Sequence, residues 1–132
     1  MARRTKAKVI VAGRVEGECI SSPQPITFFG GIDPKTGEVV EEGHAIKGTR
    51  IGGKILFFPC GKGSTVGSYV IYGLAKKGMG PIAIVNTKFD AIIASGCIVS
   101  GIPLLLVSED FMKQVKTGER ARIYRSYVEI LE

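Results

Sequence analysis

The chain has 132 residues, a length that sets the expectation of one domain, residues 1–132, with a core large enough to need no disulfides. Apolar residues make up 45% and charged ones 23%, which argues against a disordered chain, and no apolar run approaches the roughly 18 residues of a spanning helix. The formal net charge of +6 invites a nucleic-acid reading, yet the excess gathers at Arg3, Arg4, Lys6 and Lys8 and between residues 113 and 125, without interleaved aromatics or a recognisable module. A solvated basic surface is therefore expected, with neither nucleic acid nor membrane as partner.

The basic start runs into a strand at residues 9–12 without the apolar core of a leader, so a cytoplasmic location is expected. A second strand is predicted at 15–19 and a third at 26–29, after Pro23 and Pro25. Phe28-Phe29-Gly30-Gly31 supports two readings: a pocket lip or docking surface, or core packing at a strand end. Asp33-Pro34-Lys35-Thr36-Gly37 has the chemistry of a tight turn. From residue 54 the texture changes to alternation: a strand at 54–58, a helix at 64–77, a strand at 82–85 after Gly80-Pro81, a helix at 91–99 capped by Asp90, and a strand at 104–107 after Pro103. Such a β-α-β-α-β succession predicts parallel pairing with right-handed crossovers. The tail, 121–131, alternates again and predicts a hairpin around Arg125-Ser126. With the N-terminal strands added, a mixed sheet is expected rather than a purely parallel one.

The stretch from Phe58 to Gly67, Phe-Pro-Cys-Gly-Lys-Gly-Ser-Thr-Val-Gly, lies where a strand becomes a helix. Val66, Tyr69, Val70, Gly73 and Leu74 follow one helix face, which puts Ser64 near the N-cap. Gly61 and Gly63 permit tight backbone and close approach by a ligand, free amides and the helix dipole favour an anion, and Lys62 adds a mobile charge. The plain alternative is a glycine turn with a serine cap and no further role. The order Gly-Lys-Gly-Ser-Thr is not a Walker loop, and Lys62-Gly63-Ser64-Thr65-Val66 is not a nucleophile elbow. The one histidine, His44, has no acidic neighbour to orient it, which argues against a Ser-His-Asp triad. Cys19, Cys60 and Cys97 are far apart and form no Cys-x-x-Cys pair, so no metal site is expected within the chain, and Cys97 reads as a buried structural thiol.

Several segments together carry a resemblance: Gly13-Arg14-Val15-Glu16-Gly17-Glu18, Phe29-Gly30-Gly31-Ile32-Asp33, and Gly48-Thr49-Arg50-Ile51-Gly52-Gly53-Lys54 with the loop from Pro59 to Tyr69. In these the chain resembles the swivelling domain of the aconitase X family over nearly its whole length. The resemblance implies a swivelling β/β/α fold, a barrel-like mixed sheet with helices near 64–77 and 90–100 outside it; the alternative is a flavodoxin-like parallel sheet. The wider superfamily carries a Gly-x-Gly-Ser-Ser-Arg motif whose first serine is the catalytic base, and Gly61-Lys62-Gly63-Ser64-Thr65 is similar. Carried over, Ser64 becomes the base, with Thr65 as the alternative, and Gly63, Thr65 and Lys62 the substrate-binding candidates. Val66 stands where the superfamily has a substrate-binding arginine, so recognition of the substrate's anionic groups must differ. The resemblance further implies a large partner subunit that holds a 4Fe-4S cluster, in a heterodimer or higher assembly active only when complete. It also implies a hydro-lyase reaction on a phosphorylated small molecule. In archaea that reaction is dehydration of (R)-mevalonate 5-phosphate to trans-anhydromevalonate 5-phosphate in a modified mevalonate pathway. Bacterial relatives dehydrate cis-3-hydroxy-L-proline and are usually fused into one chain, so this short separate chain favours the archaeal reading. A non-catalytic anion-binding module is the alternative of a different class.

Overall fold

The structure, a computed structural model, describes residues 3–132. Eight strands form one sheet in the order β1-β8-β7-β3-β4-β5-β6-β2. They are β1 (Arg3–Lys6), β2 (Lys8–Val11), β3 (Val15–Ser21), β4 (Ile55–Phe57), β5 (Ala83–Asn86), β6 (Leu104–Leu106), β7 (Arg120–Tyr124) and β8 (Tyr127–Leu131). The helical segments are α1 (Phe28–Gly31), α2 (Gly67–Lys76), α3 (Ala91–Ser100) and α4 (Glu109–Gln114). β1 and β2 are separated by Ala7 alone yet lie at opposite ends of the strand order, so the sheet curls into a nearly closed barrel.

The centre of the sheet is parallel: β3 with β4, β4 with β5, and β5 with β6. Of these, β4, β5 and β6 are largely buried on both faces, which is why they read as nearly unbroken apolar runs, whereas β3 carries exposed Glu16 and Glu18. Leu56 and Ile84 join a core cluster with Ile71, Leu74, Ile93 and Cys97 of α2 and α3. Ile55, Phe57, Ala83 and Val85 join a second cluster with Phe111 of α4 and with Ala121, Ile123, Val128 and Ile130 of β7 and β8. The remaining pairs, β1/β8, β2/β6, β3/β7 and β7/β8, are antiparallel. This wrapping by N-terminal and C-terminal strands rules out the flavodoxin-like alternative. The tail hairpin turns at Arg125-Ser126, between paired Tyr124 and Tyr127, with Arg125 at φ 53°.

Two expectations are corrected. Residues 26–29 are not a strand: Ile26 makes one isolated parallel bridge to Gly61, and the chain then turns. Phe29 (φ −81°, ψ 115°) and Gly30 (φ 87°, ψ −20°) interrupt α1 with the dihedrals of a type II turn, whose second central position requires a positive φ. The helix expected from residue 64 begins at Gly67, with Val66 as N-cap and no side-chain cap bond. Two elements were not foreseen, β1 and α4.

Candidate active site

The loop after β4 is fixed at its root by strand ends. Asn86, buried at the end of β5, donates from Nδ2 to the Phe58 carbonyl at 2.8 Å. The Pro59 carbonyl accepts from the amides of Thr87 (2.9 Å) and Lys88 (3.2 Å). Beyond Cys60, the Lys62 amide donates to the Ile26 carbonyl at 3.1 Å, and the Ile26 amide donates to the Cys60 carbonyl at 3.2 Å.

Glycines let the loop lie flat against its neighbours. A Cβ on Gly63, whose φ is +89°, would lie 2.3 Å from Thr27 Oγ1; one on Gly61 would lie 2.7 Å from Ile93 Cγ1 and 3.2 Å from Asp90 Oδ1. One on Gly67 would meet Ile92, Phe28 and Phe29 at 3.4–3.7 Å. The loop is thus wedged between residues 27–29 on one side and the N-terminus of α3 on the other. Asp90 caps α3 as expected, its Oδ1 accepting from the amides of Ile92 (2.9 Å) and Ile93 (3.0 Å).

Ser64 and Thr65 are both exposed at the loop's crest. Ser64 Oγ accepts from the Val66 amide at 3.1 Å, and the Gly67 amide donates to the Ser64 carbonyl at 3.0 Å. Ser64 therefore caps a tight turn leading into α2 and not α2 itself, which corrects the expected N-cap. Among the described residues the amides of Gly63, Ser64 and Thr65 have no acceptor. Three consecutive unspent N–H groups, beside two hydroxyls and just ahead of a helix N-terminus, are available to negative charge. Lys62 is less mobile than expected: its ammonium meets Glu41 Oε2 at 2.9 Å, half-exposed.

Sequence reasoning missed Thr27 and Glu41. Both lie far from the loop in the chain, and neither belongs to a motif, so no local signal marks them.

The other chemistry-bearing residues are structural. His44 is buried, with Nε2 2.9 Å from the Pro25 carbonyl and Nδ1 accepting from the Ile46 amide at 3.2 Å. With Nδ1 accepting, Nε2 is the protonated nitrogen, and the ring ties the 44–46 turn to residue 25. Cys19 and Cys97 are buried in different core clusters, and burial pushes each thiol up to about 12, so both are protonated near neutral pH. Cys60 is half-buried. No three His, Cys, Asp or Glu side chains come together as a metal site among the described residues, so this chain's donors do not fit an iron–sulfur cluster. A cleft of about 450 Å³, lined by Pro59, Thr87, Lys88 and Lys113 among others, opens beside the root of the loop but includes neither Ser64 nor its neighbours.

A mixed barrel that presents a glycine loop with two exposed hydroxyls at its surface is the architecture of a swivelling β/β/α domain. The chain belongs to the aconitase X swivel domain family, whose model matches residues 4–130. It is 48% identical over 130 residues to the "Phosphomevalonate dehydratase small subunit" of Pyrococcus furiosus, covering 97% of this chain and 96% of that one. The protein of the same name from Methanosarcina acetivorans is 45% identical over 132 residues, covering 98% and 92%. The crystal structure of Thermococcus kodakaraensis aconitase X in its holo-form superposes with a TM-score of 0.93 at 45% identity, over 98% of this chain and 99% of that one.

Proposed function

We propose that this chain is the small subunit of a dehydratase that eliminates water from (R)-mevalonate 5-phosphate, that it acts only with a large subunit, and that it supplies Ser64 as the base. The observation that carries the reading is the crest of the loop. Ser64 is exposed, the N–H groups of Gly63, Ser64 and Thr65 are unspent, and among the described residues no metal-binding cluster accompanies them. The names of the close relatives support the substrate and the subunit role.

In this reading Ser64 Oγ takes the proton from the carbon next to the departing hydroxyl. To act as base Ser64 first gives its own hydroxyl proton to solvent, and the adjacent amides and the start of α2 favour the resulting alkoxide, which the proton taken from carbon then neutralises. Gly63 and Thr65 offer their N–H groups to an anionic group of the substrate, and Lys62, shared with Glu41, adds positive charge beside them. The iron–sulfur cluster suggested by family membership is assigned to the large subunit, where it would polarise the leaving hydroxyl as a Lewis acid.

The test is anaerobic co-expression with the cluster-bearing large subunit and an assay of mevalonate 5-phosphate dehydration. The isolated chain is expected to be inert. In the complex, Ser64→Gly keeps the turn and loses the hydroxyl, so turnover should fall by roughly 10²-fold or more with assembly intact. Thr65→Val should retain most activity. An active Ser64→Gly enzyme removes Ser64 from the mechanism, and a dead Thr65→Val enzyme with an active Ser64→Gly transfers the role to Thr65.

A further inference from the structure

Phe28 and Phe29 part ways: Phe28 is 2% exposed in the core and Phe29 54% exposed. The exposure of Phe29 is built in. The type II turn, with Gly30 in the left-handed region, puts Phe29 at its corner, and Thr27 Oγ1 donates to the Phe29 carbonyl at 3.1 Å to hold the corner in place. On the other side of the loop, Phe89 immediately precedes the Asp90 cap. A residue there commonly folds back on the first turns of its helix, yet Phe89 is 60% exposed. Between the two lie Val66, in the loop, and Tyr69, in the first turn of α2 and 75% exposed. Phe29, Val66, Tyr69 and Phe89 are therefore exposed on the loop or on segments that flank it, Gly67 lying beside Phe28 and Phe29 and Gly61 beside Asp90.

We infer that Phe29, Val66, Tyr69 and Phe89 form the docking rim for the large subunit, which closes over the loop and seals the site from water. This rests on the functional reading above, and the incompleteness of the loop selects both the surface and its occupant. The loop presents amides and hydroxyls without the groups to complete a reaction, so whatever completes it must cover Ser64. A chain that covers Ser64 must also approach the segments that flank its loop, which carry these four exposed side chains. Rigid aromatics give up little conformational entropy on burial and are the residues that most often dominate interfaces. The competing apolar surface is Ile98 and Val99 near the far end of α3, each 63% exposed. They lie more than two turns, on the order of 12 Å, from the Asp90 cap, and no hydroxyl or free amide of the loop adjoins them.

Subunit affinity, read without reference to turnover, tests the inference. Phe29→Ser and Phe89→Ser in the full chain are titrated against fluorescently labelled large subunit under anaerobic conditions, alongside Ile98→Ser and Ser64→Ala. Each rim variant should weaken association by roughly tenfold or more and keep the wild-type thermal midpoint and circular dichroism, because the side chains it removes are already half in solvent. Ile98→Ser should bind within about twofold of wild type, and Ser64→Ala should bind normally. The inference is overturned if both rim variants bind like wild type, if Ile98→Ser causes the loss, or if the rim variants instead abolish self-association of the isolated chain. The catalytic reading fails separately, through an active Ser64→Ala complex, and that result would leave the affinities unchanged.

Discussion

A methyl group at position 63 would meet two obstacles at once. The backbone there has φ +89°, which a side chain adopts only with strain, and the Cβ would come within 2.3 Å of Thr27 Oγ1, itself bonded to the Phe29 carbonyl. Gly63→Ala should therefore cost about 1–2 kcal/mol of stability from the backbone alone, and more in function, because relief requires the crest to shift off Thr27. The expected outcome is a folded protein with a lowered urea midpoint and a turnover loss larger than the stability loss explains. An enzyme with wild-type turnover and stability would show that the crest tolerates a different path. Lys62 and Glu41 illustrate how a site escapes sequence reading at this scale. Gly-Lys-Gly-Ser-Thr announced itself because all its chemistry is local, whereas the carboxylate that holds Lys62 comes from a polar stretch with no pattern to mark it. The same holds for Thr27, whose importance lies in the space it leaves for a glycine.

Elements were legible in proportion to how apolar they are. β4, α2, β5, α3 and β6 emerge from the sequence in order and in their parallel arrangement, because strands buried on both faces and helices packed on them leave continuous or periodic apolar marks. β1 has the sequence Arg-Arg-Thr-Lys and buries nothing by itself; its pairing with β8 is a backbone affair, supplemented by Arg4 4.6 Å from the centre of the Tyr127 ring and by the ion pair of Arg3 with Glu119. α4 is only six residues long, too short for periodicity, although Ser108 accepting from the Phe111 amide and the acidic pair Glu109-Asp110 are the start signals of a helix. Residues 26–29 misled for the opposite reason, since Ile26 and Phe28 point inward and Phe29 outward in strand-like alternation before Gly30 turns the chain. α3 also gives a prediction at this scale. Asp90 satisfies two of the helix's free amides and adjoins Gly61, so it supports both α3 and the wall of the loop. Asp90→Ala should cost about 1 kcal/mol, whereas Asp90→Asn should restore most of that loss because its amide oxygen accepts the same bonds. Chemical denaturation of the three proteins checks the order, and equal stability of Asp90→Ala and wild type would deny the cap any net worth.

At the scale of the whole molecule the barrel depends on its first few residues. β1 closes one edge of the sheet on β8 and β2 closes the other on β6, with Ala7 between them donating its amide to the Ser126 carbonyl at the tip of the tail hairpin. The start of the chain thus joins elements from near its end, contacts that local propensity does not specify and that form only once β7 and β8 are in place. Removing residues 1–6 leaves α2, α3 and the parallel centre untouched but strips β8 of its partner along Tyr127–Ile130. With about 0.5–1.5 kcal/mol net for each backbone bond lost, the truncated chain should be less stable by on the order of 2–4 kcal/mol. Its newly exposed edge, which lacks proline and ends in Ile130 and Leu131, invites pairing with a second chain. Urea denaturation and size-exclusion chromatography across a range of concentrations measure the two effects: a lowered midpoint, and a shift from monomer towards larger species that the intact chain does not show. A truncated protein that stays monomeric with an unchanged midpoint would mean that β1 is an ornament on a barrel already closed by Ala7 and β2. The Ser64 loop, at the C-terminal end of β4 and held by β5, residues 26–29 and α3, should keep its geometry in the truncated chain, so any affinity for the large subunit lost on truncation should be small beside that lost in Phe29→Ser.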